Sequence, residues 1–155
     1  MRRIPVTTVM LLVLIGGEYL IAAQPKKLGI GIVLGAPTGF TMKYWIDAQT
    51  AWQGAIGTGF DGITVGADYL THSDAFNNVQ LPFYYGPGAF FGSAGFGAPR
   101  YVRGDLALGA RFIFGVDYLT DDREFDLAFE LRPALLRSPR VGIGIEAGIA
   151  FRFYP

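Results

Sequence analysis

The segment that closes the chain, "VGIGIEAGIAFRFYP" at residues 141–155, alternates with period two and restricts what the whole chain can become. Val141, Ile143, Ile145, Ala147, Ile149, Phe151 and Phe153 share one parity; Gly142, Gly144, Glu146, Gly148, Ala150, Arg152 and Tyr154 share the other. A strand sends successive side chains to opposite faces, so the segment is a strand with one apolar face. A solvated second face usually carries Lys, Glu, Thr and Ser. Here it is mostly glycine with isolated charges.

The same alternation recurs along the chain. It runs over Leu28–Leu34, Phe40–Ile46, Trp52–Phe60 (the weakest), Ile63–Thr71, Leu81–Phe91, Leu106–Tyr118, Phe125–Leu135 and Val141–Phe153. Breaks between segments carry turn chemistry, as in "GAPTG", where Pro37 presets φ and Gly39 permits reversal. The pattern predicts an all-β chain of eight strands.

Two closed architectures accommodate eight such strands. An inward apolar face gives a soluble barrel around an apolar ligand, as in lipocalins. An outward one gives a membrane barrel with a polar lumen. The glycines favour the second, because a narrow eight-stranded interior needs room for long charged side chains. The expected fold is therefore an eight-stranded antiparallel up-and-down transmembrane β-barrel.

The address implied at the other end of the chain agrees. "MRRIPVTTVMLLVLIGGEYLIAAQP" has two arginines, a short apolar run and small residues at Ala22-Ala23, the layout of a cleaved signal peptide. Residues 1–23 are thus read as the leader and 24–155 as one barrel domain of the bacterial cell envelope. Basic and acidic residues number 13 each, so the chain is neutral overall, and nothing suggests nucleic acid. Absence of cysteine excludes disulfides and thiolate metal sites.

Aromatic placement gives a second test. In a single-chain outer-membrane barrel both termini lie at the periplasmic rim. Tyr44, Trp52, Tyr69, Phe83, Tyr85, Tyr118, Phe125, Phe151 and Phe153 then gather near that rim as an interfacial belt. Phe40, Phe60 and Phe91 are expected at the other.

The segment "GIGIVLGAPTGFTMKYWI" (29–46) resembles the opening hairpin of a bacterial family of outer-membrane β-barrel domains of unknown function. In that family a glycine-alternating strand meets a G-x-P-T-G turn and a strand with K-Y-W. Here these are Gly35, Pro37, Thr38, Gly39, Lys43, Tyr44 and Trp45. "LPFYYGPGAFF" (81–91) and "GIGIEAGIAFRFY" (142–154) resemble its fifth and last strands. The resemblance implies a small outer-membrane barrel and supplies no catalytic residues. It also implies the barrel-assembly machinery as a partner during biogenesis. Such barrels usually end on an aromatic residue, whereas here Tyr154-Pro155 follow Phe153.

Charges of lumen parity form the one polar constellation with a spatial logic. Lys43, Arg111 and Arg132 are expected near mid-height with Asp68, Glu130 and Glu146. Asp117, Asp126 and Arg152 are expected lower down. Confined charges must pair, and a turn at Ser138-Pro139-Arg140 sets Arg132 opposite Glu146. The network reads as a plug that closes the lumen; a gated, porin-like or proton-conducting interior is the alternative.

No catalytic or metal site is expected, and no cofactor. His72-Ser73-Asp74 is contiguous, and adjacent residues do not assemble a relay. Lipid A acylhydrolases and acyltransferases of similar size act at the outer leaflet, whereas His72 maps to the periplasmic end. Arg100, Arg103, Arg137 and Arg140 fall at the outer rim, where cations suit lipopolysaccharide phosphates or another outer-membrane lipid. The expected role is a structural, envelope or surface-interaction one. A soluble periplasmic lipocalin-like barrel is the alternative, and a lipid A-modifying enzyme the third reading.

Overall fold

The computed structural model describes residues 26–59, 62–93, 106–138 and 141–155. The leader at 1–23 and the arginines Arg100, Arg103 and Arg140 lie outside these residues. The eight strands are β1 (Leu28–Gly35), β2 (Thr38–Trp45), β3 (Thr50–Gly59), β4 (Gly62–Ser73), β5 (Phe83–Ser93), β6 (Leu106–Leu119), β7 (Phe125–Ser138) and β8 (Gly142–Phe153). Each pairs antiparallel with its neighbours in sequence, and β1 pairs with β8 to close the barrel.

Parity decides the faces. Apolar side chains of the first parity lie exposed on the outside, among them Ile30, Phe40, Met42, Trp52, Phe91, Phe129, Ile145 and Phe151. The second parity is buried inside, including every one of Lys43, Asp68, Arg111, Asp117, Asp126, Glu130, Arg132, Glu146 and Arg152. The interior is ionic and the exterior apolar, the reverse of a soluble barrel.

Register fixes the tilt. Ile30 pairs directly with Phe153 across the β1–β8 seam. Followed the other way, its row passes Met42, Gly54, Ala67, Ala89, Ala110 and Leu135 to Ile143. One circuit therefore climbs the ten residues from Phe153 to Ile143. For eight strands this shear corresponds to a tilt of about 40°, so each residue gains about 2.5 Å of height and each strand-to-strand step about 3 Å.

Tilt revises the expected heights. The belt residues from Tyr44 to Phe153 fall within about 10 Å of height at the rim where both described ends lie, hereafter the terminal rim. Phe40 does not reach the opposite rim, because β1 and β2 are short and their hairpin ends partway up the wall. Phe60 lies outside the described residues.

Local chemistry ends the strands where the sequence indicates. Gly35 takes φ +124°, which an L side chain rarely adopts, and Thr38 Oγ1 donates to its carbonyl at 2.8 Å. At the terminal rim, Asp47 accepts from Gln49 N, Thr50 N and Thr50 Oγ1 at 2.6–2.8 Å, an Asx turn. β5 begins at Phe83 rather than Leu81, since Leu81 N donates back to Asn78 O (2.9 Å) within the turn. At the seam, a Cβ on Gly31 would meet the backbone of Phe151 and Arg152, so this position lets two strands approach closely.

Candidate functional site: a layered charge network in the lumen

The buried charges stand in tiers set by the tilt. In the tier nearest the terminal rim, Lys43 on β2 pairs with Asp117 on β6, both fully buried. The Lys43 ammonium also lies over the Tyr84 ring at 4.4 Å and the Trp45 ring at 4.9 Å. Lys43 thus belongs to the lower set, contrary to the placement expected at mid-height. Lys43 and Arg111 share one hydrogen-bonded row, but that row climbs about 12 Å between β2 and β6. Asp117, six residues below Arg111, comes back to the level of Lys43.

Arg152 is the hub of the same tier. Its Nη1 donates to both oxygens of Asp126 (3.2 Å), and Nη2 to Gln53 Oε1 (2.7 Å) and Glu130 Oε1 (3.0 Å). Nε lies 3.4 Å from Thr41 Oγ1. Tyr154 turns inward beneath it and donates its hydroxyl to Asp126 Oδ2 at 2.8 Å, while Trp45 Nε1 donates to Tyr154 at 3.2 Å. The aromatic end of the chain closes the lower lumen.

Glu130 links the tiers. It accepts from Gln53 Nε2 (2.9 Å), Tyr84 Oη (2.5 Å), Arg152 and Arg132 Nη2. Val33, Leu70, Ile113, Ala128 and Ala150 pack with Tyr84 as an apolar cluster inside the barrel. Four donors on one carboxylate are what an enclosed charge requires.

In the upper tier, Arg111 grips Asp68 in a bidentate pair, Nε to Oδ1 and Nη2 to Oδ2, both 2.6 Å. A Cβ on Gly88 would strike the Asp68 carboxylate, and one on Gly66 the Arg111 guanidinium. These glycines make the room that the sequence pattern implies. Arg132 and Glu146 are register partners, as expected from the turn. Their side chains nevertheless part: Arg132 Nη1 donates to Ala36 O at 3.0 Å and Nη2 goes to Glu130. Among the described residues, the cation within ion-pair distance of Glu146 is Arg111, at 3.7 Å.

His72 is buried at the terminal end of the lumen, 4.2 Å from the Trp45 ring centroid and 5.1 Å from that of Tyr84. Its Nδ1 faces Gln49 O at 3.1 Å and its Nε2 lies 3.5 Å from Asp117. Ser73, the next residue, has the opposite parity, so the contiguous His-Ser-Asp forms no relay. Of the four arginines expected at the outer rim, Arg137 is described, exposed near the end of β7.

Sequence reasoning did not assign Thr41, Gln53, Tyr84 or Tyr154 to the network. Parity places Gln53 inward, but β3 reads "TAWQGAIGTG", with small residues on both faces, and its alternation is faint. Tyr154 shares the inward parity but lies just beyond Phe153, the last expected strand residue. Outside the strands, hydrogen bonds lower two carboxyl pKa values. Thr50 does so for Asp47, helped by the Gln49 and Thr50 amides; Thr120, with the Glu124 amide, does so for Asp122.

The structure defines the class of protein: a closed eight-stranded antiparallel β-barrel with an ionic, interlocked lumen. Comparison with family models, curated proteins and solved structures finds no match.

Proposed function

We propose that the chain is an outer-membrane β-barrel protein with a structural, envelope or surface-interaction role and no enzymatic activity, its lumen closed by the charge network. The observation that carries this reading is the inversion of the barrel. Exposed Ile, Leu, Val, Met and Phe cover the outside, whereas four basic and five acidic side chains are sealed inside. In water such an exterior is a large aggregation-prone patch; in hydrocarbon it is the face that closed strands present.

The aromatic rings collected near the terminal rim suit a membrane interface and support that rim as the periplasmic one. A lipocalin-like reading needs an apolar interior, and the ion pairs from Lys43 to Arg152 occupy that space. An ionic plug also supports a non-conducting lumen, since opening it separates pairs held in low dielectric. Lipopolysaccharide, or another outer-membrane lipid, is the proposed partner of the outer-rim arginines, and the assembly machinery that of the nascent chain.

Fractionation of expressing cells tests the reading, followed by gel migration in detergent with and without boiling. Mature protein in the outer membrane, with migration that shifts on boiling, is the expected result. Soluble protein lacking that shift would overturn it.

A further inference from the structure

The barrel wall has unequal height. β1 and β2 stop at Gly35 and Thr38, about 18 Å above the terminal rim, whereas β5 to β8 rise about 30 Å. β8 passes its last β1 partner, Gly148 opposite Gly35, and continues to Gly142. Ala36 N donates to Ala147 O at 2.9 Å and closes the corner. Beyond that corner, among the described residues, Gly142–Glu146 has no strand on its β1 side. The result is a notch between β8 and β3, with the β1–β2 hairpin as its floor.

The surroundings of the notch are apolar outside and ionic inside. Leu34 at the corner and Ile143 and Ile145 on β8 border its outer face and are all exposed, Ile143 to 85%. Unpaired strand edge facing hydrocarbon is costly, so the notch favours an occupant that covers it. On the inner side, Glu146 lies at the level of the floor. It is buried, and its Oε2 has no hydrogen-bond partner.

Charge completes the argument. Among the described residues of the lower and middle tiers, Lys43, Arg132 and Arg152 match Asp117, Asp126 and Glu130. Among the described residues of the upper tier, Asp68 and Glu146 share Arg111, whose bidentate bond is given to Asp68, and Arg132 gives its Nη1 and Nη2 to Ala36 O and Glu130. Among the described residues the surplus carboxylate is Glu146. His72 lies about 17 Å lower and cannot offset it locally. No group of three His, Asp or Glu side chains gathers around a metal position among the described residues. A single carboxylate beside a guanidinium suits an ammonium instead.

We propose that the notch admits an amphiphile with a primary-amine head from the surrounding bilayer. Its ammonium pairs with Glu146 inside the wall, and its chain lies against Leu34, Ile143 and Ile145 outside. This rests on the membrane reading above.

The test uses the mature protein in lipid nanodiscs, with insertion verified by heat-shifted migration. Dodecylammonium is titrated while the amide resonances of residues 142–147 are followed by NMR, with dodecanoate as the control. The expected result is a saturable shift with dodecylammonium alone, and an apparent affinity about tenfold or more weaker in Glu146→Gln. Infrared spectroscopy of the ligand-free protein should show Glu146 as carboxylate. An inserted barrel with no saturable shift overturns this inference alone. So does an equal response to dodecanoate, an unchanged Glu146→Gln, or a neutral Glu146 carboxyl. Failure to insert overturns the membrane reading as well.

Discussion

Replacing Arg152 by Met removes the hub of the lower tier. Its guanidinium is fully buried and is the only cation within ion-pair distance of Asp126 among the described residues. After the change Glu130 keeps Arg132, Tyr84 and Gln53, and Asp117 keeps Lys43. Asp126 keeps only the Tyr154 hydroxyl. One carboxylate is therefore left enclosed without a cation, a change that costs about 3–5 kcal/mol when a buried pair is broken from one side. Removing both charges, as in Arg152→Met with Asp126→Leu, should recover most of that loss, because an apolar replacement of a buried pair is close to neutral. Reversible urea unfolding in phospholipid vesicles, followed by tryptophan fluorescence, gives both values. A single variant costing less than about 1 kcal/mol would refute the reasoning, and so would a double variant no more stable than the single one.

Glycines separate the same way. Gly31→Ala drives a methyl into the backbone of the closing seam and should cost about 1–3 kcal/mol in the same unfolding assay. Gly54→Ala, whose Cβ would find its nearest neighbour, the Met42 side chain, at 3.4 Å, should be near neutral; equal losses would contradict the close approach. The turns at the terminal rim should respond to acid. Asp47 and Asp122 have folded pKa values below the ordinary one, so their stabilisation is present above about pH 4. It is lost as pH falls through the folded values. Amide exchange at Thr50 and Glu124 should accelerate there before the strands respond, and protection unchanged down to pH 2 would contradict this. Leu136→Asp places a further acid on a fully buried inner position and should abolish the folded barrel's heat-shifted migration; unaltered migration would argue against a packed lumen.

Most of the fold is legible in the sequence because period two is a strong signal when one face is glycine and charge. The ends of β6 and β8 fall within one residue of those expected for that reason, and β7 begins at Phe125 as expected but runs on past Leu135 to Ser138, a residue expected in the turn. The strand-by-strand faces and the opposition of Arg132 to Glu146 follow from parity and turn length. What parity does not carry is height. Tilt displaces β6 upward relative to β2, so Lys43 meets Asp117 instead of the mid-height carboxylates, and Phe40 stays low on a short hairpin. Side-chain reach is equally hidden. Arg132 bypasses its register partner because Glu130 and the Ala36 carbonyl lie within the span of its guanidinium. Gln53 joins the network from a strand of faint alternation, and Tyr154 from a position just past the end of β8.

The central claim is that apolar side chains face lipid while the second parity faces a closed interior. The chain's two tryptophans divide on this point: Trp52 is 50% exposed outside, and Trp45 is 2% exposed within the lumen. Single-tryptophan variants Trp45→Phe and Trp52→Phe, reconstituted in bilayers with brominated acyl chains, test it most directly. The account predicts strong quenching of Trp52 and little of Trp45. Quenching of Trp45 with Trp52 spared would contradict it.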